Sequence, residues 1–266
     1  MIILFHSSKT MRANIGDAIS YQQPLLFDRA QHINAYLNTL GVAQLQGAMK
    51  VSPPVAAKAK QQIMEWDISA EASLPAIDAF LGDMYSGLQV RTFDQSDRDY
   101  ANEHLYILSG LYGVLRALDS VQPYRLEMAY KFSDEPFTNL YKYWGDVIAR
   151  CLSKNAPIVN VSSVEYTKAV FPYLRDVQIV TPKFLTRDSK TGEPKFVTIH
   201  AKVARGAFAH WMIKNRIETL ADLPNFDELN YAYDESLSTT NEPVFVCDTF
   251  GGLGLSVRLT GSLRSK

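Results

Sequence analysis

Cysteine is nearly missing from this chain: Cys151 and Cys247 are the two in 266 residues, and they form neither a CxxC pair nor a metal-ligand spacing. That excludes a disulfide framework and a cysteine-based zinc site, and both thiols are expected to be free and buried. The five histidines, His6, His32, His104, His200 and His210, lack HExxH, HxH and facial-triad spacings, so no metal and no cofactor is expected. Charge of one sign is not in excess either. Lys plus Arg number 27 against 28 for Asp plus Glu, which gives no global pull towards nucleic acid or an anionic membrane, so a polyanion site must be a local patch. Long apolar runs are absent too. Ile2 to Phe5 is far shorter than a signal-peptide core and follows no basic residue, and no stretch approaches a membrane span; a cytoplasmic protein without a membrane partner is expected.

What remains is globular composition, 47% hydrophobic and 21% charged, enough for a substantial core. The patterning predicts an α/β (α+β) fold: one compact domain over 1–250 with a central mixed β-sheet surrounded by helices, then a tail at 251–266 rich in Gly, Ser and basic residues. Short apolar runs predict strands at Ile2–Phe5, Ala76–Phe80, Leu105–Leu108, Pro157–Val161 and Val244–Cys247. Helical spacing of Ala30, Ile33, Tyr36, Leu37 and Leu40 predicts a helix from Asp28 that stops at Gly41. Ser52-Pro53 opens another, and Asp94 or Ser96 caps a third. A four-turn helix is expected after Pro136, carrying Leu140, Trp144, Ile148 and Cys151, and a further helix over Lys202–Arg216. The Ser189 to Gly192 turn reads as a β-hairpin, and Gly82 to Gly87 as a glycine-bounded loop.

Candidate chemistry is concentrated at strand ends, where open α/β sheets present ligand loops. Lys9-Thr10 follows the first strand and suits an anion contact; a plain surface lysine is the alternative. Lys202 and Arg205 share a helix face, and near an N-terminus they would add to unpaired backbone N–H groups that favour phosphate, unless they only solvate that face. Arg116 and Arg125 can grip phosphate or pair internally with Asp119 and Glu127. Ser109, Gly110 and Gly113 bracket a tight turn, either a simple one or one that points backbone donors at a phosphate. Asp83, Tyr85, Asp146, Glu165 and Tyr166 are acid–base candidates if they converge.

The run LSGLYGVLR followed by LD and PYRLEM, within 104–128, resembles the signature of the YaaA family of bacterial peroxide-stress proteins. Lys9-Thr10, FLGDMYSGL at Phe80–Leu88, YWGD at Tyr143–Asp146, NVSSVEY at Asn160–Tyr166 and AKVARG at Ala201–Gly206 match in family order. The resemblance implies an oxidative-stress protein, connected with hydrogen peroxide and iron homeostasis, that binds double-stranded or branched DNA and protects it from oxidative damage. On that reading a local basic cleft holds DNA phosphates with Lys9, Thr10, Arg116, Arg125, Lys202 and Arg205. The Ser109–Gly113 turn then serves as the hairpin of a helix-hairpin-helix element, and no reaction is catalysed. Two departures from the family are visible: it commonly has serine where this chain has His6, and it ends near Val244–Cys247. The alternative is an enzyme acting on a nucleotide or another phosphate-bearing small molecule, with Lys9 and Lys202 holding phosphate and Asp83 or Glu165 as base. A pocket lined by Tyr85, Trp144 and Tyr166 with a carboxylate in reach would favour it; an open basic groove would favour DNA.

Overall fold

A strand buried on both faces must be apolar throughout, and Ile2, Ile3, Leu4 and Phe5 meet that condition with at most 3% exposure each. In the computed structural model, which describes residues 1–12, 22–66, 73–152 and 156–252, they form the middle of the central sheet. The chain runs through β1 (Ile2–His6), β2 (Thr10–Met11), α1 (Phe27–Thr39), α2 (Val42–Met49), α3 (Pro53–Glu65), β3 (Leu74–Pro75), α4 (Ala76–Ala79) and β4 (Phe80–Leu81). Next come α5 (Asp83–Leu88), α6 (Gln95–His104), β5 (Leu105–Ser109), β6 (Gly113–Arg116), β7 (Ser120–Val121), α7 (Leu140–Trp144), α8 (Val147–Arg150) and β8 (Ile158–Asn160). The remainder is α9 (Val164–Thr167), β9 (Ile179–Val180), β10 (Lys183–Arg187), β11 (Pro194–Lys195), α10 (Thr198–Lys214), β12 (Ala232–Tyr233) and β13 (Val244–Cys247).

The central sheet has the order β6-β5-β1-β8-β9. It is mixed, as expected: β1 is parallel to β5 and to β8, β8 to β9, while β6 returns antiparallel to β5. A second sheet, β11-β10-β13-β12, carries an aromatic cluster in which Phe184, Phe208, Phe226 and Phe245 pack with ring centroids 4.9–5.9 Å apart. That cluster ties α10 to the sheet. The whole is a single compact α/β fold.

Several elements differ from the sequence reading, each for a local reason. Ala76–Ala79 is one helical turn between two short strands, because Ala76 and Ile77 donate backbone hydrogen bonds to Asp119 and Ala117 instead of joining a ladder. The Gly82–Gly87 stretch is helix α5; Gly82, at φ 128°, supplies the sharp entry and Gly87 lies inside. The four-turn helix breaks into α7 and α8 at Gly145, whose φ of 51° ends the first. Helix α1 does end at Leu40, but Gly41 is the N-cap of α2, its N–H held by Gln44 Oε1 at 2.8 Å, and not a left-handed cap. Asp94 is the cap of α6, accepting from the Asp97 N–H at 2.9 Å.

Helix α10 starts at Thr198, so Lys202 and Arg205 lie beyond its first turn and the backbone-donor argument for them fails. The Ser109–Gly113 turn joins strands β5 and β6 in a hairpin and is buried, which removes it as the hairpin between two helices. A hairpin forms around Ser189–Gly192, but with short arms, β10 and β11; of the expected arms Val177–Leu185 and Lys195–His200, Ile179–Val180 joins the central sheet as β9 and Thr198–His200 opens α10. Both thiols are free, Cys247 buried and Cys151 half-buried. Residues 253–266 of the expected tail lie outside the described residues.

Candidate functional site

The carboxyl ends of β1 and β8 meet beside each other, with β5 added on the far side of β1, so the strand order reverses at β1. Ligands of open parallel sheets gather at such a reversal because the two following loops diverge and leave a crevice. Here the crevice is a cavity of about 360 Å³. The loop after β1 supplies His6, Ser7, Ser8 and Lys9; the segment after β8 supplies Ser163, Glu165 and Tyr166. Helix α5 contributes Asp83 and Tyr85, α10 contributes Lys202, and Glu127 comes from the chain beyond β7.

Glycines bring these elements together. A Cβ on Gly206 would sit 1.9 Å from Met84 O, and one on Gly87 would sit 2.1 Å from Val203 O, so α5 and α10 approach at distances only glycine allows. This contact sets Asp83 and Tyr85 facing Lys202. A Cβ on Gly110 would meet Leu126 O at 2.4 Å, so the buried turn presses on the segment that carries Glu127. Gly113, at φ 70°, seats the Trp144 ring, and Trp144 Nε1 donates to Gly110 O at 3.1 Å.

Glu127 is 8% exposed, and burial raises its pKa; Lys9, 3.9 Å away, opposes that, and Glu165 adds to it. Tyr166 lines the cavity with Glu127. Buried hydroxyls stand behind it. Ser7 Oγ donates to Tyr166 Oη at 3.1 Å, and Tyr124 Oη shares a 2.6 Å bond with Ser109 Oγ. The Tyr112 N–H donates to the same Ser109 Oγ at 3.0 Å. Burial pushes the Tyr166 and Tyr85 phenols well above their ordinary value, so both are neutral donors. Tyr85 Oη donates to His6 O at 2.9 Å.

His6 stacks on Tyr166 with ring centres 5.1 Å apart. Its Nδ1 accepts from the Ser163 N–H at 3.2 Å, so the neutral ring carries its proton on Nε2. Burial, with the charges of Arg205 and Lys202, lowers its pKa to about 3, which keeps the ring neutral. Lys202 is exposed and Arg205 half-buried, its pKa lowered by burial; neither has an ion-pair partner among the described residues.

Of the residues singled out from sequence, Lys9, Asp83, Tyr85, Glu165, Tyr166 and Lys202 all line this cavity. Arg205 reaches it through its charge on His6. The others do not converge. Arg116 pairs with the fully buried Asp119 at 2.8 Å and donates to Gln23 O, so its charge is used in holding the hairpin. Arg125 has its Nε buried without a partner; it does not form the expected ion pair with Glu127, whose salt-bridge partner is Lys9. Thr10 pairs with Leu81 in the β2–β4 ribbon. Asp146 binds Arg150, and Trp144 is wholly buried away from the cavity. Glu127, His6 and Ser7 join the site without a signal in the sequence: Glu127 reads there as an arginine partner, and His6 has no metal-ligand spacing. Among the described residues no three ligand-type side chains gather to hold a metal ion, and no helix is long and apolar enough to cross a membrane.

Comparison with known proteins agrees with this arrangement of motifs. The family model described as peroxide stress protein YaaA matches residues 1–237. A UPF0246 protein of Salinispora tropica is 48% identical over 258 residues, covering 97% of this chain and 98% of its own. One from Shewanella halifaxensis is 37% identical over 255 residues, covering 92% and 98%. With the signature runs at Gly87, Gly110 and Gly206 accounted for as the contacts that bring the cavity's elements together, and with the match spanning nearly the whole chain, the protein belongs to the YaaA family of peroxide stress proteins.

Proposed function

We propose that this family member serves its oxidative-stress role in the cytoplasm by binding a phosphate-bearing small molecule in the cavity and moving a proton there through Glu127. The observation that carries the reading is the convergence of Lys9 and Lys202 with Glu127, Tyr85 and Tyr166 in one cavity of about 360 Å³. Such a volume suits a small ligand. Two lysines offer point charges to a phosphate. Glu127, held towards its protonated form by burial, donates to a phosphate oxygen or, after losing its proton, acts as a base. Neutral Tyr166 adds a hydroxyl without competing negative charge, while the single Tyr85 proton is held on His6 O and braces the loop.

Titration calorimetry with inorganic phosphate and ribose 5-phosphate tests this. Binding is expected in the folded protein, with Lys202→Ala weakening it by about tenfold, roughly 1.4 kcal/mol. An unchanged affinity in a correctly folded Lys202→Ala variant overturns the reading.

The DNA reading keeps one supporting observation: Lys9 and Lys202 are exposed, within reach of a backbone phosphate at the cavity mouth. It would use Lys9, Lys202 and Arg205 without the 109–113 turn or Arg116. Duplex, branched and single-stranded DNA titrated at two salt concentrations separate the readings, since phosphate-backbone binding weakens steeply with salt.

A further inference from the structure

A second cavity, of about 400 Å³, backs onto the first, and the two share Leu81, Gly82 and Tyr85 as lining residues. Gly82 leaves that boundary without a side chain; a Cβ there would come within 3.2 Å of Ser8 Oγ in the first cavity. Its φ of 128° also penalises any replacement. The second cavity differs in character from the first. Ile77, Phe80 and Val90 give it apolar walls, and two guanidinium groups, Arg12 and Arg91, stand among them. Its one carboxylate, Asp78, is occupied by Arg98 through bonds of 2.7 and 3.0 Å. Arg12 and Arg91 have no ion-pair partner among the described residues.

Apolar walls with planar cations that no carboxylate among the described residues occupies fit a flat ring that carries carbonyl or ring-nitrogen acceptors: the walls cover its faces, and a guanidinium stacks on it or donates to its edge. We propose that the second cavity is the nucleobase subsite of a nucleoside monophosphate whose phosphate lies on Lys9 and Lys202 in the first cavity, the sugar passing Gly82. This rests on the phosphate-ligand reading above and names its substrate class.

Calorimetry on the full chain with ribose 5-phosphate, AMP and UMP tests it, using Arg91→Ala and the cavity-filling Thr92→Trp. Both positions are exposed, so the fold should tolerate either change. The expected result is a nucleotide bound at least about tenfold tighter than ribose 5-phosphate, with both variants abolishing that preference and leaving ribose 5-phosphate affinity unchanged. Equal affinity of nucleotide and ribose 5-phosphate in the parent protein overturns the subsite while the phosphate reading stands. A preference that survives both variants places the base elsewhere and overturns it too. Absence of binding by all three compounds overturns both proposals.

Discussion

Glu127 and His6 are both driven towards their neutral forms by burial, but their effects on stability run in opposite directions with pH. The folded protein holds the Glu127 proton more tightly than the unfolded chain does. Stability from this group is therefore present at low pH and is lost as pH rises from the unfolded carboxyl value of about 4.3 through the raised folded value. Glu127→Gln should flatten that decline in chemical denaturation above the unfolded carboxyl value; an unchanged slope would mean that folding does not raise the carboxyl's pKa. His6 acts the other way. Below about pH 6.5 the unfolded chain takes up a proton that the folded ring accepts only near 3, so stability falls with acid. Lys9→Ala removes a positive charge 3.9 Å from Glu127 and should move the Glu127 titration upward, as read by carbon-13 NMR of the labelled carboxyl. No movement would show that the exposed lysine is screened by solvent.

At the scale of elements, the contact of α5 with α10 holds the site in shape. In an isolated helix Gly→Ala is favourable by about 1 kcal/mol. Here Gly206→Ala and Gly87→Ala each place a methyl against a backbone carbonyl, which cannot rotate away, so each should cost about 3 kcal/mol by overpacking. Once one substitution has separated the helices the second has less to disrupt, and the double variant should cost less than the sum. Additive losses in thermal unfolding would mean the two sites are independent. Farther along α10, Asp97 of α6, 2% exposed, binds Lys214 at 2.6 Å and Arg216 at 3.0 Å. Burial opposes its ionisation, yet the hydrogen bonds from Lys214, the Asp94 N–H and Arg216 outweigh it and lower its pKa. Asp97→Ala leaves two cations, each about a third exposed and so partly solvated, without their carboxylate and should cost about 1.5–3 kcal/mol at neutral pH. That contribution is lost as acid protonates Asp97, so parent and variant should converge at low pH in denaturant titrations.

For the molecule as a whole, a net charge of −1 offers no long-range attraction to DNA, and the cations at the cavity are offset by Glu127, Glu165 and Asp83 lining it with them. If the cavity carries the peroxide-stress role, then in cells lacking their own family member Glu127→Gln and Lys202→Ala should fail to restore peroxide survival at parental protein abundance. Lys183→Ala, which removes an exposed ion pair with Glu242 on the second sheet, should restore it fully. Equal survival with all three would place the function away from the cavity.

The buried strands are legible in the amino-acid order alone, because Ile2–Phe5, Leu105–Leu108 and Val244–Cys247 are apolar at every core position and need no partner to be recognised. The same order marks Asp94 as a cap, a local bond within one turn, and points to Lys9, Asp83, Tyr85, Glu165, Tyr166 and Lys202 through family runs. That these six converge follows from packing, since the elements around the cavity meet through backbone contacts at Gly87, Gly110 and Gly206 that leave no periodic trace. Packing alone brings Glu127 into the cavity and spends Arg116 on Asp119. A charge in sequence is the same whether it grips a ligand or a neighbour; what lies within about 4 Å of it is settled by packing between distant segments.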